Sequence, residues 1–204
     1  MLRADFTSMG EGRTPGRHLS EITRAMQAAS GLSVGAIPGE QANLRPQIGF
    51  LWERALEGAW REYHLETRPV AAQVKVVYDD VEGTPDGLHL LDLCTEEYKF
   101  TWKTMRKWDE DPEQHFPDWM ARAKGYLYMV NKGEVWDGPT RLQIPNQGIF
   151  LARFLVFWCN GDYSRKEGRG PQVTEDVFRF EEQELEDHWK TIKRYDDWLT
   201  KRGE

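Results

Sequence analysis

The sequence predicts an α/β fold, a mixed central β-sheet flanked by α-helices. Three observations predict it. Ile48, Leu51, Trp52, Ala55, Leu56, Ala59 and Tyr63 recur at helical spacing, the stripe of a helix lying on an apolar surface. Residues 148–159, GIFLARFLVFWC, are apolar on both faces, the pattern of a central strand. Helical and strand-like segments alternate along the chain, which places helices on the flanks of a sheet.

The elements follow in order. Residues 1–17 are rich in Gly, Arg and Thr and are expected to form a flexible N-terminal arm, followed by one domain over 18–204. Ser20 is the expected N-cap of a short helix, with Ile22 and Met26 behind it. Residues 30–46, with Gly31, Gly35, Pro38, Gly39 and Pro46, read as a loop. The striped helix comes next, and Pro69 closes it off. Residues 70–81 read as one strand, with Val74, Val76 and Tyr78 alternating. Two short strands are expected within 83–102, although no Gly or Pro marks a turn between Gly87 and Trp102. A helix begins at Pro117, a favoured first-turn residue. It carries Trp119, Ala123, Tyr126, Leu127 and Val130 on one face and stops near Gly133. After the central strand, residues 160–170 read as a loop and 177–180 as a short strand. The last helix carries Leu185, Trp189, Ile192 and Leu199. The nine Trp read as core.

Composition bounds the function. The chain has 204 residues, and a chain of this length buries about 70% of its unfolded surface, so it folds without a staple. A net charge of -7 excludes nonspecific coating of nucleic acid, which depends on neutralising phosphates. It leaves room for a local basic groove and suits a site that collects divalent cations. Cys94 and Cys159 are the two cysteines. They exclude a disulfide framework and a four-thiolate metal site, and point to reducing cytoplasm. No apolar run approaches the roughly 18 residues of a membrane span, and the N-terminus lacks a signal-peptide core. Neither a P-loop nor a dinucleotide fingerprint is present.

The chemistry concentrates in residues 83–103, GTPDGLHLLDLCTEEYKFTWK. Asp86 follows Pro85 at the mouth of a strand. Glu97 and Lys99 are two apart on a strand, so they share a face while Tyr98 turns away. Neighbouring Glu96 lacks that relation to Lys99. If the Asp86 strand lies alongside, two carboxylates and an ammonium converge. Such a trio can cut a phosphodiester. Mg²⁺ takes one or two carboxylates, waters and phosphate oxygens, and a lysine beside it can hold the attacking water and offset developing charge.

P-D at 85–86 followed by E-x-K at 97–99 resembles the motif of the PD-(D/E)xK nuclease superfamily, in its phage RecB-like and lambda-type exonuclease branch. GFLWE (Gly49–Glu53) resembles that branch's G-x-x-x-E. WMARAKGYLYM resembles its Q-x-x-x-Y helix, with Tyr126 in place and Arg122 where the family has Gln. RHLSEI near the start resembles a segment common in these phage proteins. The resemblance runs over about residues 17–200. It implies a restriction-endonuclease-like fold and a DNA nuclease dependent on Mg²⁺, or Mn²⁺. Asp86, Glu97 and Lys99 would be catalytic, and Glu53, Asp86 and Glu97 would be metal ligands. Arg122 and Tyr126 would approach the DNA backbone, with Lys103 as a further phosphate contact in the basic cluster of Lys103, Arg106 and Lys107. It implies phage DNA recombination, replication or processing as the setting, with a second copy or a phage recombination or replication protein as partner. Core packing is the competing reading for Tyr126, and a solvated face for Lys103. Two other functions fit the same scaffold: a structure- or sequence-specific endonuclease, and a nucleic-acid-binding or assembly protein without turnover.

Overall fold

A computed structural model describes residues 17–30, 48–49, 51–56, 58, 70–72, 74–160 and 170–202. The expected arm therefore lies outside the described residues up to residue 16, as does the loop over 31–46. The chain is described from β1 (Arg17–His18) into α1 (Leu19–Ala29). Helical residues within 48–58 form α2. Then come β2 (Val70–Ala72), β3 (Lys75–Tyr78), β4 (Val81–Gly83), β5 (Gly87–His89) and β6 (Cys94–Thr101). Three helices follow: α3 (Met105–Glu110), α4 (Pro112–His115) and α5 (Pro117–Lys132). The remainder is β7 (Glu134–Asp137), β8 (Thr140–Leu142), β9 (Leu151–Trp158), β10 (Gln172–Arg179) and α6 (Glu182–Arg202).

The mixed sheet flanked by helices is present, divided in two. One sheet has the order β1-β4-β3-β7-β8 and the other β10-β9-β6-β5-β2. In the first, β1 runs parallel to β4 and the other pairs are antiparallel. In the second, β6 and β9 are parallel, with Glu97 opposite Phe154 and Lys99 opposite Val156. The apolar segment 151–158 is thus an inner strand, between β6 and β10.

Several local expectations are corrected. Residues 70–81 are not one strand. Asp79 and Asp80 take φ of 52° and 63°, the left-handed pair that a tight two-residue hairpin needs and that Asp tolerates better than most residues. They turn β3 into β4, while β2 pairs with β5 in the other sheet. Ser20 is not the cap of α1. Strand β1 runs straight into the helix, so extended His18 takes the cap position. The unmarked turn within 83–102 spans residues 90–93, with Leu93 at φ 53°. There the His89 side chain does a loop residue's work: its Nδ1 accepts the Asp92 N–H at 2.9 Å. The expected short strand 177–180 is longer, because β10 pairs with β9 from Gln172 onward.

Helix α5 is the organising piece. It touches α1, α6, β3, β6, β7 and β9. Leu19 and Ile22 of α1, Leu127 and Met129 of α5, Leu185 and Ile192 of α6, and Val76, Phe154 and Trp158 of the sheets share one buried core. Each such side chain contributes roughly 1.5–3 kcal/mol on leaving water. Trp108 packs edge-on against Phe116 and Phe154, and its Nε1 donates to Asp176 Oδ2 at 3.1 Å. Among the described residues no helix is long and apolar enough to cross a membrane.

Candidate active site

Strand β6 is buried on both faces. Alternation therefore decides where each polar side chain can go. Glu97 and Lys99 face the α5 side of the sheet, together with Phe154 and Val156 of β9. Asp86 sits just ahead of β5. Strand pairing ends at Gly87 opposite Glu96, and the Asp86 carboxylate takes over from the backbone there: its Oδ2 accepts the Tyr98 N–H at 2.7 Å. The same oxygen lies 3.3 Å from Lys99 Nζ, which also donates to Glu97 Oε2 at 2.6 Å. One ammonium thus joins two carboxylates from adjacent segments.

The group is buried at one end and open at the other. The Glu97 side chain is 1% exposed and that of Asp86 22%. Burial pushes the Glu97 carboxyl above the usual carboxylate range; Lys99 opposes this, and Asp86 adds to it. Burial alone would lower Lys99, but Asp86 and Glu97 outweigh it and hold the ammonium protonated beyond its ordinary range. Among the described residues, Glu97 Oε1 is buried without a hydrogen-bond partner. That oxygen and the open side of Asp86 are hard donors of the kind Mg²⁺ prefers, so the residues fit a divalent cation. Among the described residues no group of three or more His, Cys, Asp or Glu could hold a metal, so Asp86 and Glu97 stand as a pair.

Arg122 and Tyr126 are one turn apart on α5, hence on one face, and both act electrostatically on Asp86 and Glu97. Arg122 Nη2 bonds Asp118 Oδ2 at 2.8 Å, while its Nε is buried without a hydrogen-bond partner. Tyr126 is both core and site. Its ring presses on Gly83, while its hydroxyl is hydrogen-bonded by the Thr84 backbone. Burial, then Glu97, pushes its pKa far up.

Two expected site residues stand elsewhere. Lys103 donates to the His115 carbonyl at 3.1 Å and lies 4.6 Å over the Phe116 ring, which anchors it at the α4–α5 junction. Glu53 is half-buried on α2. That helix meets the second sheet through Trp52, whose ring is 5.4 Å from Phe157, on the face opposite Glu97.

A second polar group was not anticipated. On the far face of β6, Arg153 binds Glu96 at 3.0 Å, Asp92 at 2.8 Å and Glu175 at 3.2 Å, and Tyr98 donates to Glu96 at 2.7 Å. The signal was Arg153 itself, a lone charge inside an apolar strand, which needs buried partners. This network braces β6 from behind.

No family model and no curated protein matches this sequence. Solved structures do. The alkaline exonuclease LHK-Exo from Laribacter hongkongensis is similar with a TM-score of 0.49 and 10% identity, over 92% of this chain and 89% of that one. Its complex with dAMP gives 0.43 and 12%, over 92% and 89%. A phage-related exonuclease from Haemophilus somnus 129PT gives 0.45 and 12%, over 91% and 83%.

Proposed function

We propose that this chain is a metal-dependent nuclease that hydrolyses phosphodiester bonds in DNA, working from ends as an exonuclease. The observation that carries the reading is the meeting of Asp86, Glu97 and Lys99: one ammonium within 3.3 Å and 2.6 Å of two carboxylates. Asp86 and Glu97 would hold Mg²⁺ or Mn²⁺, with waters and phosphate oxygens completing its shell. The ion would supply Lewis-acid polarisation of the phosphate and a more acidic water.

The chain's own residues supply the rest. Lys99 keeps its proton and orients the attacking water through its ammonium. Its charge also offsets charge building on the phosphate oxygens. Arg122 brings a guanidinium to the same group and suits a non-bridging phosphate oxygen. The Tyr126 hydroxyl, kept protonated by burial, acts as a neutral hydrogen-bond donor or acceptor. The setting would be DNA processing in cytoplasm.

The test is degradation of end-labelled linear DNA by the purified protein with Mg²⁺, Mn²⁺ or Ca²⁺, beside closed-circular DNA. Linear DNA should be consumed with Mg²⁺ or Mn²⁺ and little with Ca²⁺, circles should persist, and Asp86→Ala should be inactive. Equal activity in Asp86→Ala would remove the mechanism. Nicking or cutting of circles would replace the end-directed reading with an endonuclease.

A further inference from the structure

Beyond Lys99, strands β6 and β9 end together: the Cys159 N–H donates to the Thr101 carbonyl at 2.9 Å, and Asn160 Nδ2 donates to the Trp102 carbonyl at 2.6 Å. The crevice outside the carboxyl ends of parallel strands is a recurrent ligand position in α/β sheets. Here it holds an open cavity of about 400 Å³, lined by Phe100, Thr101, Trp102, Lys103 and Asn160. That volume is within the usual range for small-ligand sites, about 300–1,000 Å³.

The lining has a particular chemistry. Trp102 is 37% exposed, so part of its ring is open to a ligand. It is supported from behind. Its ring stands edge-on to Phe100 at 5.6 Å, Phe100 stacks on Phe157 at 5.2 Å, and Phe157 meets Trp52 at 5.4 Å. Lys103 adds a cation to the lining, held on the His115 carbonyl and over the Phe116 ring. A cation beside an exposed aromatic ring complements an anion that carries flat rings. Thr101 lies on the Lys99 face, two residues further on, roughly 6.6 Å along the strand. Phe100 and Trp102 lie on the other face, so the cavity wraps around the end of β6, and a strand leaving Lys99 would have to round that end to meet Trp102.

We propose that the cavity at the end of β6 is a stacking subsite for an unpaired nucleobase of the DNA strand, with Trp102 as the platform and Lys103 beside the adjoining phosphate. It deepens the nuclease reading and rests on it for the path of the strand past Lys99. The site selects single-stranded or frayed strand over the duplex interior, because a base stacked between two neighbours cannot present its face to Trp102.

The test is equilibrium binding in EDTA of a fluorescein-labelled single-stranded deoxythymidine 12-mer, and of a matching 12-mer carrying abasic residues, to the full chain. Trp102→Ala should weaken the thymidine oligomer about 5- to 100-fold, the range for losing one stacked base. Trp102→Phe should stay close to wild type. The abasic oligomer should bind weakly and alike to wild type and Trp102→Ala. Circular dichroism and melting of both variants establish that they are folded; if Trp102→Ala is not, the abasic comparison on the wild type decides. Equal binding of the two oligomers to wild type, or unchanged affinity in folded Trp102→Ala, overturns the subsite. Trp102-dependent binding without turnover in Mg²⁺ leaves the subsite standing and removes the hydrolytic reading. Turnover with Trp102-independent binding does the reverse.

Discussion

The Tyr98 N–H donates to Asp86 Oδ2 at 2.7 Å, so the first carboxylate is bolted to the backbone between Glu97 and Lys99. Tyr98 also ties its hydroxyl to Glu96 on the opposite face. One residue therefore joins the Asp86–Lys99 group to the Arg153 network behind it. Asp86, in the connection ahead of β5, is thereby fixed to strand β6.

Lys99→Met leaves Glu97 buried beside Asp86 with no ammonium. Removing one partner of a buried pair costs about 3–5 kcal/mol. The sign with pH follows from Glu97, whose folded pKa is already raised and rises further without Lys99. A carboxyl raised in the folded state contributes stability below its unfolded pKa and loses it as pH rises through the folded value. Urea melts should therefore show a deficit in Lys99→Met that is largest near pH 8 and smaller near pH 5. A deficit independent of pH would mean that Glu97 and Lys99 are not paired.

How much of this was legible depends on the kind of signal. The shared face of Glu97 and Lys99 follows from period two alone. The α5 helix was legible from Pro117 to Gly133 because both ends carry punctuation. The turn after His89 was not, because a histidine ring satisfies it where Gly or Pro would have announced it. The division into two sheets was hidden too: Asp79 and Asp80 look like polar strand residues until their φ values are known. The position of Lys103 depends on the distant His115 carbonyl, a contact that no local pattern encodes.

Gly83→Ala tests how closely α5 is seated on β4. A Cβ there would lie 2.8 Å from Tyr126 Cε1, 3.1 Å from its Cδ1 and 3.3 Å from Met129 Cε. The Met129 methyl can move. The Tyr126 ring cannot easily swing, since its hydroxyl is tied to the Thr84 backbone. Overpacking of this kind costs about 1–3 kcal/mol. The urea midpoint should fall at unchanged slope, and DNA degradation should fall beyond what the stability loss explains, because Tyr126 tilts. An unaltered midpoint would show that α5 yields.

His188 supplies an acid sensitivity in stability. It is packed on α5, where its Nε2 meets the Ala121 carbonyl at 2.9 Å. Burial lowers its pKa from the ordinary 6.5, Lys124 adds to that, and the Ala121 carbonyl, Glu113 and Glu184 oppose it. Below pH 6.5 the unfolded chain takes up a proton that the folded chain refuses, so stability falls until pH passes the depressed folded value. Thermal melts between pH 7.5 and 5 should show a steeper loss for wild type than for His188→Gln, which retains an amide donor and does not titrate. Parallel curves would contradict this.

Arg122→Gln tests the residue that departs from the family pattern. The guanidinium acts on Glu97 and lowers its pKa. Removing it should raise that pKa, so the acid limb of the pH–rate profile for linear DNA should move to higher pH. If Arg122 also contacts phosphate, the logarithmic salt dependence of DNA binding should lose about one unit of slope. Asp118, the partner left behind, is 37% exposed, so water can solvate it and the fold should survive. A shifted acid limb with an unchanged salt slope would assign Arg122 to tuning Glu97 alone. A reduced slope with an unshifted limb would assign it to phosphate. Neither change would leave the arginine as a helix-surface partner of Asp118.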